Sequence, residues 1–289
     1  RVTGVQTCAL PIWSWAQVLP LFKKSERNLL GQDLNYHGTQ GELCVDQARD
    51  PNPLSRLFVK AAGRIGLRRN DDFNGATLEG AGLYNLTQKE AKRLSSYRAF
   101  VAPVLQRPNL TVLSDCQVRS LVIENGAAQG VLVDMNGQSL RLGASREVLL
   151  CAGTIGSAQI LLESGVGPKA QLEAAGIAVK VDLPGVGKNL QDHLDGLVTV
   201  RSPSPLTLGF SLGSLPTVLL SPFKYLWRKT GWLTTNYVEA GGFARTPLAD
   251  ALPDVQFHFV PGYRSHRGRL FEWGHGYARS EEHTSELQS

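Results

Sequence analysis

The chain has 289 residues, enough for one large domain or two smaller ones with a sizeable core. Hydrophobic residues make up 42% and charged residues 19%, which excludes a disordered polypeptide. The net charge of +5 comes from scattered basic residues. The densest clusters are Lys23-Lys24, Arg68-Arg69 and the group Arg264, His266, Arg267 and Arg269, and they form no stripe of the kind that binds nucleic acid.

Residues 1–12 carry no helical or strand period, and residues 279–289 are polar and patternless. Both ends resemble translated sequencing-adapter sequence and are set apart as non-native, with flexible native termini as the alternative. Trp13 to Asn28 reads as amphipathic helix, split near Pro20 into a short lead and a second helix. Asn35 to Val45 is turn-rich and ends in a short strand. Pro53 to Leu67 is a second helix with Leu54, Leu57, Phe58 and Ala61 as its stripe and Gly66 as its stop. Asp71 to Asn85 reads as loop, and Ser95 to Leu105 as helix up to Pro103.

Strands are expected at Thr111–Leu113, Gln117–Ile123, Gly130–Met135 and Ser139–Leu142, the last three joined by Asn125-Gly126 and Asn136-Gly137 as hairpin turns. Glu147 to Cys151 (EVLLC) is nearly all apolar, as in a strand covered on both faces of a parallel sheet. A helix begins near Ser157 and closes at Gly165; another runs from Pro168 to Gly176, and a strand covers Ile177–Val181. Beyond a domain change near Asn189 come strands at Gly196–Arg201 and Asp254–Val260, separated by a loop-rich apolar region. The richest apolar stretch, Leu206 to Leu226, is interrupted by Gly209, Gly213, Pro216 and Pro222 and is no membrane span. Cys8, Cys44, Cys116 and Cys151 lack CxxC spacing, which argues against metal or a disulfide framework; Cys116 and Cys151 are expected to be buried thiols.

The junction after Cys151 is the place to look for chemistry. A buried strand, a small-residue turn (Ala152-Gly153-Thr154) and a helix N-terminus together offer close main chain, free N–H groups and a dipole that favours an anion. Most such junctions only pack. The residues that follow, Gly153 to Gly167 (GTIGSAQILLESGVG), resemble the second signature of the glucose–methanol–choline oxidoreductases, with Ala158 where the family usually has Pro or Ser. Further stretches resemble the family in order: the Trp13–Glu26 helix, Tyr36-His37-Gly38, Asp72-Phe73-Asn74-Gly75, Arg107 to Val112 and Pro184 to His193. The likeness covers Trp13 to Ala278 and looks closest to the choline-dehydrogenase-like bacterial branch.

The resemblance implies an α/β plus α+β fold: a partial Rossmann-type FAD-binding domain and an antiparallel-sheet substrate domain, truncated at both ends. Residues 13–94 would be helical and loop segments of both domains, 95–190 the partial FAD domain with its β-meander, and 191–278 the partial substrate domain. The cofactor implied is FAD, accepting hydride at N5 from a primary alcohol, with oxygen, a quinone or another acceptor taking the electrons. Val118 matches a strand residue whose main chain holds the adenine, and it is equally a core valine. Ala152 and Gly153 match positions that approach the cofactor. Asp195 matches a carboxylate facing a cationic substrate head in choline-oxidising relatives, where the residue is Glu; a surface Asp is the plainer reading. His258, in VQFHFV, matches a substrate-contacting histidine that would face the flavin cavity beside Asp195, or is a structural strand histidine. Asp192-His193 and His275 read as structural, and no histidine suggests a metal.

The Gly-x-Gly-x-x-Gly fingerprint that carries the pyrophosphate in such folds does not occur here. The resemblance implies that the family's catalytic histidine falls in a C-terminal portion beyond this chain. The resemblance therefore implies a fragment that holds FAD poorly, exposes apolar sheet edges and does not turn over alone. A non-catalytic binding or scaffold module that lost the flavin is the other open reading. Location is open between cytoplasm and membrane association.

Overall fold

The computed structural model describes residues 13–263 and 273–283, the last three by main chain alone. Cys8, the third basic cluster and most of the two ends set apart above lie outside the described residues. In chain order the helices are α1 (Trp15–Ser25), α2 (Pro53–Arg64), α3 (Gly153–Glu163), α4 (Lys169–Ala174) and α5 (Leu215–Arg228). The strands are β1 (Glu26–Asn28), β2 (Leu43–Gln47), β3 (Gly80–Leu83), β4 (Asn85–Lys89), β5 (Lys92–Arg93), β6 (Cys116–Glu124), β7 (Ala127–Met135) and β8 (Gln138–Gly143), then β9 (Val166–Gly167), β10 (Val181–Asp182), β11 (Leu194–Arg201), β12 (Ala240–Ala244), β13 (Val255–Val260) and β14 (Gly276–His283). The chain forms two compact units, one from Arg1–Gln106 with His193–Ser289 and the other from Arg107–Asp192.

The first unit is built on a five-stranded antiparallel sheet in the order β11-β14-β13-β12-β3. Alternation along each strand sends Phe257 and Phe259 to one face, and α2 covers that face. Phe58 of α2 stacks on Phe259 at 4.5 Å between ring centroids and meets Phe257 edge-on at 6.0 Å. Ala62, Ala81, Leu67 and Ala244 complete this core. Helix α2 starts where it does because the Asn52 side chain accepts the Leu54 N–H at 2.8 Å and Pro53 fills the first position, where a missing N–H costs nothing. The buried Glu239 carboxylate lies at the same helix end. It accepts from Asn52 N–H (2.7 Å), Ser55 Oγ (2.8 Å) and Thr235 Oγ1 (2.6 Å), so an anion sits at the positive end of the helix dipole with its lone pairs satisfied.

A second sheet in this unit runs β1-β2-β4-β5, with β1 and β2 parallel. Beside it His37, only 4% exposed, is held between two carboxylates: Nδ1 lies 3.0 Å from Glu26 Oε1 and Nε2 lies 3.0 Å from Asp72 Oδ2. Burial alone would push the imidazole pKa down, but the hydrogen bonds and charges of Glu26 and Asp72 outweigh it and hold the pKa above its ordinary 6.5. The two motifs Tyr36-His37-Gly38 and Asp72-Phe73-Asn74-Gly75 thus meet in one ion triad.

The second unit is the meander β6-β7-β8 with α3, α4 and the parallel pair β9–β10. Both Asn-Gly turns have positive φ at both residues (Asn125 52°, Gly126 75°; Asn136 53°, Gly137 75°), the twist that two-residue hairpins need. Helix α3 is tied to β6 at its C-terminal end: Ser164 Oγ accepts the Leu121 N–H at 2.7 Å and donates to the Ile160 carbonyl.

Several expectations are corrected. Helix α1 continues through Pro20, because the carbonyl left without a partner belongs to the exposed Ala16 and can turn to water. The expected loop at 71–85 contains β3, which becomes a strand by pairing with β12. The expected helix at 95–105 is one π-type turn, Tyr97–Val101, followed by a 3-10 turn, Ala102–Val104. Among the described residues Thr111–Leu113 pairs with no strand, and Ile177–Val181 shrinks to β10. The apolar run 147–151 is not a strand either: Leu149 is 77% exposed, and no partner strand flanks it among the described residues. Cys151, at the end of this run, is exposed for the same reason; Cys116, on the edge strand β6, is half-buried, and among the described residues the buried thiol is Cys44. The apolar region 206–226 contains α5, with Pro216 harmlessly in its first turn and Pro222 inside it. Arg279–His283, set apart as adapter-like, lie within β14. No helix among the described residues is long and apolar enough to cross a membrane.

Candidate functional site

In the second unit, Ala152 caps α3 and Gly153 opens it with φ +77° and open space where a Cβ would stand. The N–H groups of a first helical turn have no intrahelical partner. Of this group Ala152 N–H is engaged by Ser157 Oγ at 3.1 Å, and Ala152, Gly153, Thr154 and Ile155 are all exposed. An exposed 11-residue helix with a small-residue entrance can take an anionic group at close range.

Val118 is half-buried on β6, opposite Val133. Strand β6 is an edge of the meander, and Leu121 turns its N–H out of the ladder to Ser164. A bulge lies between Val118 and Ser120. The extra residue shifts the alternation by one, so it is Val118 rather than Arg119 whose main chain turns to the open edge. The Val118 carbonyl accepts from the Gln117 side chain at 3.2 Å, consistent with a group outside the ladder. Strand and helix are joined at Leu121 and Ser164, a helix length away from Ala152 and Gly153.

In the first unit, Asp195 and His258 stand on one face of the five-stranded sheet. Thr199 and Val260 both pair with Ala278, and stepping by twos from them reaches Asp195 and His258. This is the face opposite α2. Ser280 lies between the two strands on the same face and donates to the exposed Asp195 carboxylate, although Ser280 belongs to the end set apart from the sequence. Half-buried His258 lies beside the Tyr84 ring, with centroids 5.6 Å apart. Tyr84 Oη donates to the Phe257 carbonyl at 3.0 Å, reaching across β12. It can do so because Gly241 faces His258: a Cβ there would lie 2.2 Å from Tyr84 Oη and 2.2 Å from the Phe257 oxygen. The face therefore offers an imidazole, a phenol and a carboxylate over a glycine-cleared floor.

The sequence model described as GMC oxidoreductase matches residues 6–195. The chain belongs to the GMC oxidoreductase family. The N-terminal domain of that family is its FAD-binding domain. The chain is 41% identical over 267 residues to an alcohol dehydrogenase [acceptor] of Pseudomonas putida, covering 92% of this chain and 48% of that protein. It is 38% identical to an oxygen-dependent choline dehydrogenase of Photobacterium profundum, covering 92% of this chain and 47% of that one. The solved pyridoxine 4-oxidase from Mesorbium loti superposes with a TM-score of 0.78 at 27% identity, over 97% of this chain and 51% of that chain. The chain thus spans about half the length of the curated relatives it matches.

As a GMC oxidoreductase chain, the molecule has the fold class its motifs imply: α/β and α+β parts with several sheets. The residues present at the α3 entrance fit a dinucleotide, since Gly153 leaves space that any side chain would fill. Sequence reasoning missed Tyr84, Gly241, Ser164 and Glu239. For Gly241 the Glu239-Ala-Gly-Gly-Phe run was an available signal, because paired glycines in a strand mark a close approach. His275, read as structural, bonds through Nδ1 to Thr207 Oγ1 (2.7 Å) and through Nε2 to Ser211 Oγ (2.8 Å), pinning two loops together. No group of three or more metal-ligating side chains occurs among the described residues.

Proposed function

We propose that this chain is the cofactor-contacting and alcohol-facing part of a longer FAD-dependent oxidoreductase that converts a primary alcohol, choline-like or neutral, to an aldehyde. The observation that carries the reading is the shared face of Asp195 and His258, with Tyr84 beside the imidazole and Gly241 clearing the floor. FAD, when bound, supplies the hydride acceptor. Val118 offers outward main chain to the adenine, and Ala152 and Gly153 bring main chain close to the dinucleotide. His258 contacts the alcohol, and Asp195 sets a negative charge where a quaternary ammonium would lie. None of these residues is proposed as the base that takes the hydroxyl proton. The similarity to an alcohol dehydrogenase and to choline dehydrogenases supports this substrate class.

Expressed by itself, the chain retains no flavin and oxidises no alcohol in this reading, because the run 147–151 that leads into the cofactor turn pairs with no strand among the described residues and leaves Leu149 exposed. The test uses the complete gene product in a dye-reduction assay over choline, aliphatic and aromatic alcohols. Asp195→Asn should raise KM for choline by about tenfold and leave neutral alcohols nearly unchanged, the size of one well-placed charge contact. A complete protein that purifies without flavin, or a short chain that purifies yellow with stoichiometric flavin, would overturn the proposal.

A further inference from the structure

Helix α5 turns its apolar side outward. Leu219, Phe223, Leu226 and Trp227 recur at helical spacing and are each more than half exposed, Trp227 at 92%. The inward side is the more polar one. Ser221 is buried with Oγ donating to the Thr217 carbonyl at 2.8 Å, and half-buried Tyr225 reaches the Ala91 carbonyl with Oη at 3.5 Å. This inverts the usual arrangement of a surface helix. The helix holds no acidic residue. Lys224 and Arg228 border its apolar side, and Lys229 follows, with Nζ 4.6 Å over the Tyr225 ring. Through the Tyr225–Ala91 contact the helix lies next to the β4–β5 turn, which presents exposed Lys89, Lys92 and Arg93 against the single acid Glu90.

We propose that α5 lies in the surface of an anionic phospholipid bilayer, its Phe and Trp side chains in the acyl boundary and its cations on the headgroups. At 14 residues the helix is roughly 21 Å long, short of the ~30 Å apolar core, so it lies in the plane and does not cross. The composition is that of an interfacial helix: Leu, Phe and Trp on the outward side, with Lys and Arg at its border. A second copy of the chain is a poorer occupant, because a two-fold contact through α5 would bring the same basic rim against itself. The proposal stands independently of the alcohol chemistry.

The test is co-sedimentation with vesicles of phosphatidylcholine alone and of phosphatidylcholine with phosphatidylglycerol, using both the 289-residue chain and the complete gene product. Both proteins should pellet with the anionic vesicles, release as salt rises, and show a blue-shifted tryptophan emission. Phe223→Ser and Trp227→Ser should each weaken partitioning by about tenfold. Lys224→Gln, Arg228→Gln and Lys229→Gln should each cost about fivefold on anionic vesicles only. Leu113→Ser, an exposed apolar position of the other unit, should change nothing. The proposal is overturned if the complete product stays in the supernatant while the short chain pellets, since the rest of the polypeptide then covers α5. It is equally overturned if Leu113→Ser weakens binding as much as Trp227→Ser, or if Trp227→Ser abolishes self-association in a protein that ignores vesicles.

Discussion

Replacing Ser164 with Ala removes a buried side-chain tie that fastens β6 to the end of α3. Ser164 is 3% exposed and Leu121 8%, so the Leu121 N–H cannot turn to water when the hydroxyl goes. A buried donor left without its acceptor costs about 1–3 kcal/mol. The second bond, from Ser164 to the Ile160 carbonyl, duplicates a helical acceptor already used by the Ser164 N–H, so its loss adds little. Residues 107–192 contain no Phe, Tyr or Trp, so intrinsic fluorescence is blind to this unit. The assay is therefore hydrogen exchange by mass spectrometry. The peptide containing Leu121 should exchange about 5- to 150-fold faster in Ser164→Ala, the same range of free energy expressed as an opening constant. Ser164→Thr keeps a hydroxyl and should restore most of the protection. Equal exchange in the wild-type and Ala proteins, or an Ala–Thr pair that behaves alike, would refute the idea that this hydroxyl holds strand and helix together.

All five tryptophans lie in the other unit, so its stability can be followed by fluorescence. Phe257→Ala should lower its unfolding free energy by about 3–5 kcal/mol, read as a urea midpoint shift, because the ring fills the core beneath Phe58. Gly241→Val should cost about 1–3 kcal/mol or more and detach Tyr84 from the Phe257 carbonyl; an unchanged midpoint would mean the ring is not held there. His37 makes the same unit's stability depend on pH. Its folded pKa is raised above 6.5, so its contribution is complete below that value and fades as pH rises through the folded pKa. Urea midpoints measured across neutral pH should fall with rising pH in the wild type, and His37→Gln should flatten that slope.

The parts of the fold that were legible are those set by neighbours in sequence. Asn125-Gly126 and Asn136-Gly137 located the meander because both residue types accept positive φ, and Gly165 and Gly176 marked helix ends for the same reason. What misled was apolarity taken alone. The run 147–151 reads as a buried strand, yet strand character needs partners, and it has none among the described residues. The region 206–226 reads as broken apolar loop because an outward apolar helix violates the pattern by which helices are recognised. Strand β3, Gly-Ala-Gly-Leu, has no strand signal; it exists through pairing with β12, far along the chain.

The candidate site residues Val118, Ala152, Gly153, Asp195 and His258 came from matching positions of the family one by one. The resemblance implied that His258 lies beside Asp195, but the sheet face they share was not legible, because it depends on the register of three strands. Tyr84 was invisible for a related reason. Its place beside His258 is created by the absence of a side chain at Gly241, and no local pattern around Tyr84 reports that.

The central claim is that main chain at Val118 and at Ala152-Gly153 meets the dinucleotide. Hydrogen exchange of the complete gene product, with and without FAD, addresses it most directly. The account predicts that FAD slows exchange in both segments, 116–120 and 152–156. Stoichiometric flavin binding that protects other segments and leaves these two unchanged would contradict it.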